Sequence, residues 1–133
     1  MAYVTSATTK GGRNGRAMLD NGALALAMAA PKEIGGAGDG HNPEQLFALG
    51  YSSCYGQALL LLSKKHGVDG QAARVTCEVT LSTDGGFNLS AELKVSIPGA
   101  DKDKVQALVE EAHTVCPYSR ATKGNMPVKL TVI

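Results

Sequence analysis

From Arg74 to Ser82 the chain alternates Val75, Cys77, Val79 and Leu81 with Thr76, Glu78, Thr80 and Ser82, the period-two signature of a strand with one buried face. Asp84-Gly85-Gly86 predicts a turn. The alternation then resumes from Phe87 to Ile97, with Phe87, Leu89, Ala91, Leu93, Val95 and Ile97 on one face and Asn88, Ser90, Glu92, Lys94 and Ser96 on the other. The two runs predict an antiparallel hairpin whose polar face meets water. After Pro98-Gly99 the period changes, and Val105, Leu108, Val109 and Ala112 recur at the spacing of an amphipathic helix that starts at or near Asp101. Cys116-Pro117-Tyr118-Ser119 breaks that helix and predicts a short helical turn. Val128 to Ile133 closes the chain as a strand.

The segment Asn42 to Leu62 is patterned differently. Asn42 is an N-cap residue, Pro43 suits the first helical position, and Gln45 stands where a capping-box partner belongs. Beyond them the chain is apolar or small nearly all round, which predicts a helix enclosed on most sides. Gly50, Ser52, Ser53, Cys54 and Gly56 thin its middle, so a sheet or a second helix is expected to approach its backbone. Lys64, Lys65, His66 and Gly67 supply C-terminal cations and a C-cap glycine.

The N-terminal third predicts an antiparallel meander. Tyr3 to Thr9 is the first strand, glycine-rich turns surround Arg13 and Arg16, and Leu24, Leu26 and Met28 alternate with alanines in a third strand whose second face is small. The glycine-rich stretch Pro31 to His41 precedes a helix rather than following a strand, and it matches neither a Walker nor a dinucleotide fingerprint. A connector and a loop that shapes a site mouth are both consistent with it.

Composition narrows the function classes. A chain of 133 residues predicts one domain, residues 1–133, with a core that needs no disulfide staples. The formal net charge of +1 and the lack of a basic stripe disfavour nucleic acid as a partner. By run length no membrane span is expected, and the first residues, Met-Ala-Tyr-Val-Thr-Ser-Ala, lack signal-peptide character, so a cytoplasmic location is the expectation. In that compartment three cysteines do not form a disulfide framework.

Those cysteines carry the candidate chemistry. Cys77 occupies an inward strand position and reads as core. Cys54 lies among small residues of the central helix, where packing and catalysis are both open. Cys116 precedes a proline at an expected helix start, where unpaired N–H groups favour a thiolate. Two such thiols on separate elements suggest a redox couple. A thiol peroxidase further requires a cation beside the attacking sulfur and a carboxylate to hold that cation. Arg13 and Glu44 are available for those roles, although a solvated turn arginine and a dipole-complementing glutamate would read the same way. A metal site at His113, Cys116 and Cys54 lacks a fourth ligand and a second close pair. A non-catalytic dimeric binding protein is the other rival.

Gly11-Gly12-Arg13-Asn14-Gly15-Arg16, Gly35-Gly36, Asn42-Pro43-Glu44-Gln45-Leu46-Phe47, Gly50-Tyr51-Ser52-Ser53-Cys54 and Ala112-His113-Thr114-Val115-Cys116-Pro117-Tyr118-Ser119, with Gly124-Asn125, together resemble the organic hydroperoxide resistance (Ohr) branch of the OsmC/Ohr family. The resemblance runs through nearly the whole chain. It implies an α+β fold, an intertwined homodimer with antiparallel sheets packed around two long central helices. It also implies a peroxidase that reduces organic and fatty-acid hydroperoxides, with no metal or other cofactor. Cys54 falls on the peroxidatic position, Cys116 on the resolving one, and Arg13 and Glu44 on the pair that activates the thiolate, with Arg16 the competing arginine. The implied reductant is a dihydrolipoamide-type dithiol carried by a lipoylated protein. Departures are Ser53 where alanine is common, the additional thiol of Cys77, and short segments before His41 and around Val68 to Ala73.

Overall fold

The computed structural model describes Met1–Ile133 throughout, and the chain forms two compact units, Met1–Leu46 and Phe47–Ile133. In the first, β1 (Ala7–Lys10), β2 (Arg16–Leu19) and β3 (Ala25–Ala27) form an antiparallel meander in that order. β1 is shorter than the expected Tyr3 to Thr9. Ala7 pairs with Leu19, and the chain turns away at Asp20, so the residues before Ala7 have no strand to pair with. Asp20 alone reaches back, its N–H donating to the Ser6 carbonyl at 3.0 Å and its carboxylate accepting from the Ser6 hydroxyl at 2.5 Å. β3 is likewise trimmed, and Met28 forms a lone parallel bridge with His41 instead. The Pro31 to His41 segment is tied to its own surroundings rather than loose. The Ala29 N–H donates to the His41 carbonyl at 2.9 Å and the Gly38 N–H to the Ala30 carbonyl at 3.1 Å, while Lys32–Ile34 forms a 3-10 turn.

The first helix, α1 (Pro43–Ser63), starts as its sequence predicts. The Gln45 N–H donates to Asn42 Oδ1 at 2.9 Å and the Asn42 N–H donates to Gln45 Oε1 at 3.0 Å, a reciprocal capping box. It ends on Gly67 at φ +68°, with Val68 N–H to Ser63 O and Gly67 N–H to Lys64 O both at 3.1 Å, so the orphan carbonyls of its last turn are satisfied. β4 (Arg74–Ser82) and β5 (Asn88–Ser96) form the predicted hairpin, from Arg74 opposite Ser96 to Ser82 opposite Asn88. Helix α2 (Lys102–Val115) is capped by Asp101, whose carboxylate accepts from the N–H groups of Asp103 and Lys104. The face formed by Val105, Leu108, Val109 and Ala112 is the one it buries. A short helix, α3 (Pro117–Thr122), and the strand β6 (Val128–Val132) complete the chain.

Further expectations are corrected. The sheets are not wholly antiparallel, because β6 pairs parallel to β5, Ala91 with Val128 through Val95 with Val132. The helical crossover through α2 and α3 returns the chain to the end of the sheet where β5 began, so the next strand runs the same way. Phe87 does not join the inward face of β5. It lies beyond the last ladder pair, in the turn, and is 77% exposed. Helix α1, expected to be enclosed on most sides, buries one face: Tyr51, Tyr55, Ala58 and Leu59 are buried, whereas Leu49 and Leu61 are 68% and 67% exposed.

By length and composition α1 is also apolar enough to cross a membrane, contrary to the reading from run lengths. One face of it packs into the core. Tyr51, Tyr55, Ala58 and Leu59 share one buried cluster with Leu93, Val95 and Ile97 and with Val105, Leu108, Val109 and Ala112 of α2. Burying a side chain such as Leu59 contributes about 1.5–3 kcal/mol, so this cluster is what holds helix, sheet and α2 together.

Candidate active site

Arg13 sits in a 3-10 turn, Gly12–Asn14, between β1 and β2. Gly11 enters it at φ +85°, a left-handed conformation that a side chain would strain, and a Cβ on Gly15 would lie 1.7 Å from the Lys10 carbonyl oxygen. The glycines therefore permit a turn tight enough to project the guanidinium. Arg13 Nη1 donates to Glu44 Oε2 at 2.8 Å and Nη2 to Glu44 Oε1 at 2.6 Å, the two-pronged geometry specific to arginine and carboxylate. Those hydrogen bonds hold the Glu44 carboxyl below its usual range and make Arg13 still harder to deprotonate. Glu44 lies in the first turn of α1, where the helix dipole favours its charge. Arg16, the competing arginine, is exposed in β2 opposite Ala27 and makes no ion pair.

In the second unit the sulfurs of Cys54 and Cys116 are 3.4 Å apart, 62 residues apart in sequence. Cys54 is half-buried on α1, and Cys116 is fully buried at the junction of α2 and α3. Burial pushes the Cys54 thiol up, and the Tyr118 backbone N–H pulls it partly back. The neighbouring Cys116 sulfur, in hydrogen-bonding contact with Cys54, pushes the Cys54 thiol up further. Cys77 stands opposite Leu93 in the hairpin, packed against the core with its thiol pushed up by burial. It is core, as its strand position predicts.

Sequence reasoning missed a polar chain beside the thiols. Tyr51 Oη and Ser119 Oγ are 2.8 Å apart, and Ser119 Oγ is also 2.8 Å from His113 Nδ1. The clue lies in the spacing: Tyr51 precedes Cys54 by three residues, His113 precedes Cys116 by three, and Ser119 follows it by three. Each is thus one helical turn from a cysteine. His113, which a metal reading pairs with Cys116, has Nδ1 engaged with Ser119 instead. Around the same turn, Phe47, Tyr51 and Tyr118 form an aromatic cluster with ring centroids 5.8 to 6.1 Å apart.

Comparison with known proteins gives a consistent result. The family model described as OsmC-like protein matches residues 36–131. An organic hydroperoxide resistance protein of Xanthomonas axonopodis pv. citri is 44% identical over 138 aligned positions, covering 98% of this chain and 94% of that protein. The crystal structure of the organic hydroperoxide resistance protein OhrB of Bacillus subtilis aligns with a TM-score of 0.85 at 38% identity, covering 98% of each chain. That of an organic hydroperoxide resistance protein from Legionella pneumophila aligns with a TM-score of 0.90 at 41% identity, covering 99% of this chain and 98% of that one.

Proposed function

Because this chain belongs to the OsmC-like family, in its organic hydroperoxide resistance branch, we propose that it is a cysteine-based peroxidase that reduces organic and fatty-acid hydroperoxides to alcohols in defence against oxidative stress. The observation that carries this reading is the 3.4 Å separation of the Cys54 and Cys116 sulfurs. Free thiols so close, one half-buried and one fully buried, suit a peroxidatic and a resolving cysteine.

The chemistry runs in three balanced steps. The Cys54 thiolate attacks the terminal oxygen of the hydroperoxide, the O–O bond breaks, and the alkoxide takes a proton and leaves as the alcohol. Cys54 is now a sulfenic acid, oxidised by two electrons. Cys116 then attacks the Cys54 sulfur, and the departing hydroxide leaves as water with the thiol proton of Cys116. An external dithiol, in this reading a lipoylated protein, reduces the Cys54–Cys116 disulfide by exchange and is itself oxidised to a cyclic disulfide.

Burial disfavours the Cys54 thiolate, so the first step needs a cation beside the sulfur. We assign that role to Arg13, held by Glu44. Two of the five N–H donors of a guanidinium are engaged by the carboxylate, which leaves the others free to face an anion. Glu44 and Cys54 are ten positions apart on α1, about 15 Å along the axis at about 1.5 Å per residue, so one short bridge does not link them within a chain. The arrangement proposed is a homodimer in which Arg13 and Glu44 of one protomer serve the thiols of the other. The chemistry proposed requires no metal or organic cofactor, and the apolar side chains of Leu46, Phe47 and Leu49 near Cys54 in sequence suit an acyl chain.

The test is a steady-state peroxidase assay with an alkyl hydroperoxide, a fatty-acid hydroperoxide and hydrogen peroxide, with dihydrolipoamide or thioredoxin as reductant. Higher kcat/KM for the organic peroxides with dihydrolipoamide supports the proposal. Equal efficiency toward hydrogen peroxide, or turnover supported only by thioredoxin, contradicts it.

A further inference from the structure

Three buried or half-buried groups outside the cysteines and the arginine pair meet at one hydroxyl. Ser119 is 1% exposed, Tyr51 is fully buried, and Ser119 Oγ lies 2.8 Å from both Tyr51 Oη and His113 Nδ1. A single hydroxyl thus joins α1, α2 and α3. It does so one turn from each sulfur: Tyr51 lies three positions before Cys54, and His113 and Ser119 lie three positions either side of Cys116. Cys116 itself is the capping residue of both α2 and α3, and its backbone is fixed through Cys116 N–H to Ala112 O at 2.9 Å and Arg120 N–H to Cys116 O at 3.0 Å. None of those backbone bonds ties the junction to α1. Across to α1 the Tyr55 hydroxyl donates to the Val109 carbonyl of α2 at 2.6 Å and the Tyr118 N–H faces Cys54, while the Tyr51 to Ser119 hydrogen bond is the side-chain to side-chain tie between α1 and α3 beside the sulfurs, with His113 in the second bonding direction of the same hydroxyl.

We propose that Tyr51, Ser119 and His113 are positioning residues that hold the Cys116 thiol against the Cys54 thiol and so raise the effective concentration of one sulfur toward the other. A buried hydroxyl with both partners satisfied is directional and fixes geometry that apolar packing alone leaves free. The inference extends the peroxidase reading above, because the pair it positions is the one assigned to that chemistry. Its consequence is nevertheless a property of the dithiol alone. Two thiol hydrogens pass to a disulfide reagent as the Cys54–Cys116 bond forms, and the equilibrium of that exchange measures how well the sulfurs are held.

The experiment is a redox titration of the whole protein in dithiothreitol buffers, with the Cys54–Cys116 bond quantified by alkylation and mass spectrometry. Tyr51→Phe and Ser119→Ala are compared with the unsubstituted chain. Leu108→Ala, which loosens the same core about 12 Å along α2 from Cys116, reports what lost stability alone does. We expect Tyr51→Phe and Ser119→Ala each to weaken the disulfide about tenfold, a rise of about 30 mV in reduction potential. The double variant should do no more than either alone, since the two act through one contact, and Leu108→Ala should lower the melting temperature without moving the potential. Should Ser119→Ala fail to fold, Tyr51→Phe retains the ring and still decides the question. Unchanged potentials, additive shifts, or an equal shift in Leu108→Ala would overturn the proposal. The titration uses no hydroperoxide, so failure of the peroxidase reading appears separately, as unsubstituted protein that forms no Cys54–Cys116 bond with an alkyl hydroperoxide.

Discussion

Gly50 leaves room for the ring of Tyr118. A Cβ at position 50 would lie 2.9 Å from the Tyr118 hydroxyl oxygen and 3.2 Å from Cε2. Gly50 is a helix-interior residue of α1, where glycine is about 1 kcal/mol worse than alanine, and the close ring is the physical reason it is tolerated. Gly50→Ala should therefore recover helix propensity and push a partly exposed ring aside, leaving the melting temperature within a few degrees. The displaced ring leaves the cluster with Phe47 and Tyr51. Since the Tyr118 N–H faces Cys54, KM for long-chain hydroperoxides should rise severalfold while kcat changes less. Steady-state kinetics checks this, and an unchanged KM would show that the ring takes no part in binding.

The thiols should be separable by substitution. Cys54→Ser should abolish turnover, and Cys116→Ser should permit one stoichiometric oxidation at Cys54 followed by sulfinic acid. Cys77→Ser should leave the Cys54–Cys116 bond intact. Peptide mapping after hydroperoxide treatment reads all three outcomes, and a Cys54–Cys77 bridge would refute the assignment.

Arg13 and Glu44 should contribute a stability that acid removes. Arg13 depresses the Glu44 carboxyl in the folded state, so the contribution is complete above the ordinary glutamate value of 4.5 and is lost as pH falls through the lower folded value. Because the Arg13 side chain is 38% exposed, solvent screens the pair, and Glu44→Gln should cost only about 1 kcal/mol at neutral pH. Arg13→Lys loses the second prong and should cost a similar amount. Urea unfolding at pH 7 and at pH 4 checks both: the difference between variant and unsubstituted chain should shrink at the lower pH.

His113 should add a second pH dependence at higher pH. Burial lowers its pKa, so the neutral ring is favoured in the folded chain. Stability is then full above the ordinary histidine value of 6.5 and falls as pH drops from there toward the folded value. Thermal melts between pH 8 and pH 5 should show this slope, and His113→Gln should flatten it. A slope unchanged in the variant would assign the titration to another group.

Cross-protomer assembly predicts complementation. An Arg13→Ala chain and a Cys54→Ala chain should each be inactive alone. Mixed and re-formed as heterodimers, they should regain one site of two, because the Cys54→Ala chain supplies Arg13 to its partner's Cys54. Native mass spectrometry verifies the heterodimer. Its inactivity would place the whole site within one chain.

Elements whose causes are local were legible in the order of residues. The capping box of Asn42 and Gln45, the glycine stop at Gly67, the buried face of α2 and the alternation of β4 depend on neighbours within a few residues, and they appear as read. Cys77 was legible as core for the same reason. The tertiary structure decided what depends on where distant segments meet. β6 runs parallel to β5 because of where the crossover delivers it, which no period in Val128 to Val132 encodes. Phe87 fits the alternation yet lies outside the ladder, because a strand ends where its partner ends. The 3.4 Å between the sulfurs and the hydroxyl shared by Tyr51, Ser119 and His113 join residues up to 68 positions apart. Helical spacing marked each residue's face, but only the packing of α1 against α2 and α3 brought those faces together, since burial of the apolar cluster fixes where each helix lies.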